Sequence, residues 1–119
     1  MMTTSRTPRL HDVWRLSFEY EDQPGIAKER PVVIGALDEE NAVVLAVKVT
    51  GHGPRLGYPG EVRIEDWKAA GLDKPSVARC SKSLVVPLAA FVNQKRYGTL
   101  TDRDSLAVAR ALSELGATT

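Results

Sequence analysis

The sequence has few of the residues from which disulfides and metal centres are built. Its 119 residues include one cysteine, Cys80, and two histidines, His11 and His52. A single cysteine excludes an internal disulfide, and these three residues do not have the spacing of a zinc site. Cys80 lies in an apolar run, which favours a small buried side chain over a nucleophile. We therefore expect neither a metal nor a cofactor.

The chain also lacks strong net charge and long apolar runs. Sixteen Lys and Arg against 15 Asp and Glu leave a formal charge of +1, so any nucleic-acid site must be a local basic patch. No apolar run approaches the roughly 20 residues that a membrane span needs. The polar start has no signal-peptide core. These absences predict a cytoplasmic protein without a membrane segment.

The length of the chain fits one domain with a single modest core. The first ten residues are mostly polar, which predicts a disordered N-terminal segment over 1–10. The remaining sequence predicts one domain over 11–116. No internal repeat and no low-complexity segment divides it.

Alternating or continuous apolar runs predict several short strands, separated by turn-forming residues. The predicted strands span 11–20, 30–37, 42–50, 61–64, 76–80 and 83–87. The segments 21–29 and 51–60 are rich in charge or in Gly and Pro, and both are predicted to be loops.

Two helices are predicted among these strands. Residues 65–71 favour one or two helical turns that end at Gly71. Near the C-terminus, Thr101 and Asp104 have the spacing of a capping box, followed by apolar residues at helical spacing up to Gly116. Many short strands with few helices predict a mainly β (α+β) fold, a small curled sheet or barrel.

Two residues at strand ends are suited to phosphate chemistry. Arg30 opens an apolar run and Thr50 closes the next one. RNA cleavage can use the substrate's own 2′-hydroxyl as nucleophile. The planar guanidinium of an arginine matches phosphate oxygens, and a threonine hydroxyl can donate to the same group as charge develops. From spacing alone, a solvated arginine and a β-forming threonine remain the alternative.

The general base of such a reaction is left open by the residues. His52 follows Thr50 in a Gly-rich loop, and an unperturbed histidine suits proton transfer near neutral pH. Glu21 and Asp22 are the other proton acceptors near the first loop. An exposed loop histidine without a catalytic role is the alternative for His52.

Further residues are candidates for binding RNA. Lys82 and Arg55 could widen a phosphate-binding surface, and Tyr58 offers a ring on which a base can stack. We expect RNA to lie in a groove between the loops 22–29 and 51–60, which adds Asp22 and Gln23. Solubilising surface charge is the alternative for each cation.

Six short segments, in this order along the chain, resemble the MazF/PemK family of toxin ribonucleases, in particular its PemK-like branch. The segments are Asp12-Val13-Trp14, Arg30 to Ile34, Lys48-Val49-Thr50, Asp66 to Leu72, Pro75 to Arg79 and Gly98 to Thr101. Together they extend over nearly the whole chain.

The resemblance implies an SH3-like β-barrel with a short central helix and a C-terminal helix, usually assembled as a homodimer. It implies a metal-independent endoribonuclease that cleaves single-stranded RNA and is neutralised by a cognate antitoxin. Arg30 matches the family's catalytic arginine and Thr50 its catalytic threonine. Arg79 matches a second active-site arginine, for which we predict RNA binding.

Two other functions remain open. Ser81 stands where the PemK-like branch has an acidic residue, and the net charge is near zero. Both features favour a non-catalytic, PemK-like protein-binding module. The same barrel architecture also occurs in gyrase-poisoning toxins, which act by protein binding. The presence of Arg30 and Thr50 favours the nuclease over both.

Overall fold

The computed structural model describes residues 7–20, 23–51 and 59–117. In these ranges six strands form one antiparallel sheet, and a helix follows at the C-terminus. The elements are β1 (Asp12–Tyr20), β2 (Gln23–Asp38), β3 (Val43–Thr50), β4 (Glu61–Ile64), β5 (Ser76–Pro87), a 3₁₀ turn (Leu88–Phe91), β6 (Arg96–Thr99) and α1 (Asp102–Ala117). The strand order is β4-β5-β3-β2-β1-β6.

The two faces of this sheet bury two separate apolar clusters, because successive side chains of a strand point to opposite faces. One cluster includes Val33 and Val47 and packs against Val108 of α1. The other includes the neighbouring residues Val32 and Ala46. Since both faces are covered, the central strands are apolar at consecutive positions rather than at alternate ones.

The second cluster is closed by the 3₁₀ turn. Phe91 is 1% exposed, and its ring meets that of Trp14 edge to face, with centroids 5.7 Å apart. Such an arrangement suits the quadrupoles of two aromatic rings. The 3₁₀ turn therefore covers part of this face of the sheet.

The start of α1 is tied to the turn that follows β4. Asp104 is 1% exposed, and its carboxylate accepts hydrogen bonds from the backbone N–H groups of Glu65 (3.0 Å) and Asp66 (2.8 Å). The guanidinium of Arg103 donates two hydrogen bonds, of 2.8 and 2.7 Å, to the carboxylate of Asp66. The predicted capping residue Asp104 therefore binds the main chain of a neighbouring turn.

Residues 65–71, predicted as one or two helical turns that end at Gly71, form consecutive turns rather than a regular helix. The N–H of Ala70 makes a helical bond to the carbonyl of Asp66, four residues back. The N–H groups of Gly71 and Leu72 then bond to the carbonyls of Lys68 and Trp67, the pattern of a helix end at glycine. Gly71 has φ +88°, and a Cβ built on it would lie 2.0 Å from the carbonyl oxygen of Tyr97. The segment therefore ends at Gly71, where it packs closely on β6.

Three strand predictions also need correction. Residues 23–29, predicted as a loop, belong to β2 and pair with β1 as an antiparallel ribbon. The two strands predicted over 76–87 are one strand, β5, whose register against β3 shifts between Arg79 and Ser83. The four-residue strand β6 was not predicted. Charged ribbons and very short strands carry little apolar periodicity, so pattern reasoning misses them.

The fold class itself is confirmed: the chain is mostly β, with a curled six-stranded antiparallel sheet and one C-terminal helix in the described ranges. The division into 1–10 and 11–116 stays a prediction. Within residues 7–20, 23–51 and 59–117, no helix is long and apolar enough to cross a membrane.

Candidate active site

Arg30 and Thr50 reach the same cleft through the pairing of β2 with β3. The observed register pairs Val32 with Lys48 and Val33 with Val47. The same register extended by two residues sets Arg30 level with Thr50. Both residues line a cleft of about 720 Å³. The two residues singled out by the sequence thus line one cleft, although Arg30 lies in the middle of β2 and not at its start.

The cleft combines cationic, acidic and aromatic side chains from four parts of the chain. The middle of β2 and the end of β3 form one side, the segment 71–76 a second, and Lys95 with Tyr97 a third. Among the described lining residues, three cations face two carboxylates: Arg30, Lys74 and Lys95 against Glu29 and Asp73. An open cleft with an excess of cations suits a phosphate-containing ligand.

Arg30 is exposed at the rim of this cleft. One guanidinium nitrogen, Nη1, donates a 3.2 Å hydrogen bond to the carbonyl oxygen of Glu29. The carboxylate of Glu29 lies 3.6 Å from the guanidinium of Arg15. The position suits Arg30 for contact with a bound anion, since its guanidinium presents several N–H donors in one plane.

Lys74 is a cleft residue that sequence reasoning missed. Its side chain crosses Gly51, the residue after Thr50: a Cβ built on Gly51 would lie 2.8 Å from Cε of Lys74 and 3.1 Å from Nζ. Its sequence context, an acidic residue before it and a proline after it, resembles that of an ordinary surface lysine. Only the folded chain brings it beside Thr50.

The third side of the cleft carries a paired cation and aromatic ring. Nζ of Lys95 lies 5.7 Å from the ring centroid of Tyr97, within the range of a cation–π contact. The buried Ser76 closes the floor, and its hydroxyl donates a 2.9 Å hydrogen bond to the carbonyl oxygen of Lys74.

Arg79 and Lys82 lie elsewhere in the described structure and do not line the cleft. Nε of Arg79 donates to a carboxylate oxygen of Glu61 at 3.1 Å, and the side chain of Glu61 is only 3% exposed. Lys82 is exposed where β5 changes register. Gln23 begins β2 and pairs with Tyr20.

The remaining predicted site residues cannot be placed. Five of them lie outside the described residues: His52, Arg55, Tyr58, Glu21 and Asp22. Their proposed roles as base or as RNA contacts stay predictions.

The reading of Cys80 as a small buried side chain is confirmed. It is 3% exposed, and burial raises the pKa of its thiol to about 11. A thiol with so high a pKa is almost entirely protonated at neutral pH and is a poor nucleophile. In the described part of the chain, no three His, Cys, Asp or Glu side chains are grouped to hold a metal ion.

A curled six-stranded antiparallel sheet followed by a C-terminal helix is the MazF-like fold. The sequence agrees with the fold, since a model of the family described as "PemK-like, MazF-like toxin of type II toxin-antitoxin system" matches residues 9–116. The chain therefore belongs to the PemK-like, MazF-like toxin family, as its sequence segments indicate.

Solved structures of MazF proteins share this fold. A MazE–MazF crystal structure from Deinococcus radiodurans is 16% identical, covers 93% of this chain and 97% of its own, and gives a TM-score of 0.71. An endoribonuclease in complex with its cognate antitoxin, from a mycobacterial species, is 16% identical, covers 94% and 97%, and gives 0.69. Mycobacterium tuberculosis toxin MazF-mt6 is 20% identical, covers 87% and 95%, and gives 0.61. Comparison with curated protein sequences finds no match.

Proposed function

We propose that this protein is a toxin that cleaves single-stranded RNA without a metal ion and is neutralised by a cognate antitoxin. The observation that carries this proposal is the presence of Arg30 and Thr50 at one cleft. Membership of a toxin family supports it. So do the similar structures that contain an endoribonuclease or an antitoxin. A homodimer in the cytoplasm, with RNA in a groove completed by the second subunit, is part of the proposal.

The proposed reaction is an attack of the 2′-oxygen on the adjacent phosphorus. The P–O2′ bond forms and the P–O5′ bond breaks, which leaves a 2′,3′-cyclic phosphate and a free 5′-hydroxyl. The negative charge on the phosphate oxygens increases on the way to the pentacoordinate state. Arg30 stabilises that charge through its guanidinium, and the hydroxyl of Thr50 donates a further hydrogen bond.

The reaction also needs an acceptor for the 2′-proton. Among the described residues that line the cleft, Glu29 and Asp73 are the ones with carboxylates. His52, Glu21 and Asp22 are the other candidates for this role. A carboxylate or imidazole within hydrogen-bond reach of the 2′-hydroxyl would serve as general base.

Arg30→Ala is expected to abolish this cleavage, because the phosphate loses its strongest hydrogen-bonding partner. Purified protein is incubated with a long unstructured RNA in the presence of a chelator, and the fragment ends are analysed. The expected products carry a cyclic phosphate and a 5′-hydroxyl, with cleavage by the variant reduced at least about 100-fold. Arg110→Ala is the matched control, since Arg110 is an exposed arginine on α1 outside the cleft.

Two outcomes would overturn the proposal. One is intact RNA across diverse sequences with the wild-type protein, and the other is an Arg30→Ala variant as active as Arg110→Ala. Induced expression then separates the alternatives. Growth arrest with intact cellular RNA points to a toxin that acts by protein binding, and unaffected growth points to a non-catalytic module.

A further inference from the structure

Lys74 occupies an unusual position beside one of the two proposed catalytic residues. Its side chain lies across Gly51, and its Cε and Nζ atoms occupy the space that a Cβ at position 51 would need. Gly51 directly follows Thr50 at the end of β3. The ammonium group of Lys74 is therefore held next to the main chain that carries the threonine, on the side of the cleft formed by segment 71–76.

The contact with Lys74, and not the backbone conformation, explains why position 51 is a glycine. Its φ lies outside the left-handed region that favours glycine, so an alanine could adopt the same conformation. The space above its Cα is filled by the Lys74 stem instead. Ser76, which is 5% exposed, holds the main chain of Lys74 by a hydrogen bond to its carbonyl oxygen.

We propose that Lys74 is a further catalytic residue, a second cation that binds the scissile phosphate from the wall next to Thr50. The inference rests on the proposed ribonuclease function. As the P–O2′ bond forms and the P–O5′ bond breaks, charge on the two non-bridging oxygens exceeds what one guanidinium stabilises. The ammonium of Lys74 binds one of them without giving up a proton. The 2′-proton passes to the base, and the departing 5′-oxygen takes one proton from water.

The other described cations nearby are less suited to this role. The ammonium of Lys95 contacts the ring of Tyr97. Arg79 is bound to the buried carboxylate of Glu61. Among these cations, Lys74 is therefore the one that lines the cleft next to Thr50.

The test compares Lys74→Ala and Lys74→Arg with a matched lysine in the adjoining turn. Lys68→Ala is that control, because its ammonium lies over Trp67 and not in the cleft. The probe is a short RNA that spans a site cleaved by the wild type. We expect Lys74→Ala to cleave it about tenfold or more slowly, Lys74→Arg to recover part of the rate, and Lys68→Ala to match the wild type.

A binding measurement separates phosphate contact from a structural effect. The same oligonucleotide with a 2′-deoxy residue at the cleaved position cannot react. Loss of one phosphate contact should reduce the slope of log affinity against log salt by about 0.7 for a single strand. An unchanged slope for Lys74→Ala would contradict a contact between Lys74 and phosphate.

Gly51→Ala provides an independent test, since its Cβ must displace the Lys74 side chain while the fold can adjust. We expect Gly51→Ala to slow cleavage in the wild-type background and to have little effect in the Lys74→Ala background, because the two changes remove one interaction. If the double variant shows the product of the two single reductions in cleavage rate, the two residues act independently and the coupling between them is contradicted.

The results distinguish this inference from the proposed function. If the wild type leaves RNA intact, the ribonuclease proposal fails and the role of Lys74 fails with it. If the wild type cleaves, Arg30→Ala does not, and Lys74→Ala cleaves like the wild type, the role of Lys74 alone is wrong.

Discussion

Asp66 shows how single side chains connect segments that are far apart in this chain. Its carboxylate accepts two hydrogen bonds from Arg103 and one of 2.6 Å from the hydroxyl of Thr101. Those bonds lower the pKa of Asp66 from its usual 3.8 to about 2. They also raise the pKa of Arg103. A bidentate arginine–carboxylate pair of this kind adds geometric specificity as well as energy.

We expect Asp66 to contribute stability that depends on pH. Because its pKa is lower in the folded state, the contribution is complete above about pH 4 and is lost as the pH falls towards 2. Asp66→Asn should therefore destabilise the protein at pH 7 and have a smaller effect near pH 2. Urea unfolding at both pH values measures this difference.

Glu40→Gln, in the exposed turn between β2 and β3, is the control for this experiment. Its effect on the free energy of unfolding should be small at both pH values. An Asp66→Asn effect of equal size at pH 7 and pH 2 would contradict the role of the ionised carboxylate.

At the scale of elements, the sequence predicted those with a clear apolar period. β1, β3, β4 and α1 lie close to their predicted bounds, because apolar runs between turn residues mark the strands and apolar residues recur every three to four positions in α1. The first half of β2 was missed because residues 25–30 are exposed and are held by ladder bonds to β1. The turn 65–71 was predicted as a helix because the close approach of β6 has no local signature.

Gly71→Ala is expected to destabilise the contact between this turn and β6. The substitution meets a positive φ, and the new Cβ would lie 2.0 Å from the carbonyl oxygen of Tyr97. We expect a loss of more than about 1 kcal/mol in the free energy of unfolding, measured by chemical denaturation.

Gly116→Ala is the matched control, since nothing lies within 4 Å of its Cβ position near the end of α1. It should leave stability unchanged or raise it by up to about 1 kcal/mol. Equal effects of the two substitutions would show that the contact with β6 is not what requires glycine at position 71.

At the scale of the whole molecule, one sheet separates two apolar clusters. Other elements cover the first cluster more fully than the second. The first is covered by α1 and by the turn after β4, with contacts from Trp67, Leu112 and Leu115. The second is covered at one end by the 3₁₀ turn and Phe91. The same face of the sheet also carries Lys48 of β3, Arg79 of β5 and Glu61 of β4. Arg79 is paired with both of the other two across the strands.

Phe91→Ala tests how much the stability of the fold depends on the 3₁₀ turn that covers the second cluster. The ring is 1% exposed, so its removal leaves a cavity against Trp14. We expect a loss of about 3–5 kcal/mol in the free energy of unfolding. Leu106→Ala is the control, because Leu106 is 52% exposed on α1 and should change stability by no more than about 0.5 kcal/mol. A small effect of Phe91→Ala would mean that the second cluster is stable without the 3₁₀ turn.

The sequence by itself determined the class of the fold and predicted Arg30 and Thr50 as residues of one site. Apolar periods and turn residues are local properties, so Arg30 and Thr50 could be recognised as polar residues that border apolar runs. Only the tertiary structure decided which other residues join them. Lys74 lies beside Thr50, and Arg79 is bound to Glu61. These pairings depend on strand order, register and the close approach of a turn, which bring together residues that no local pattern connects.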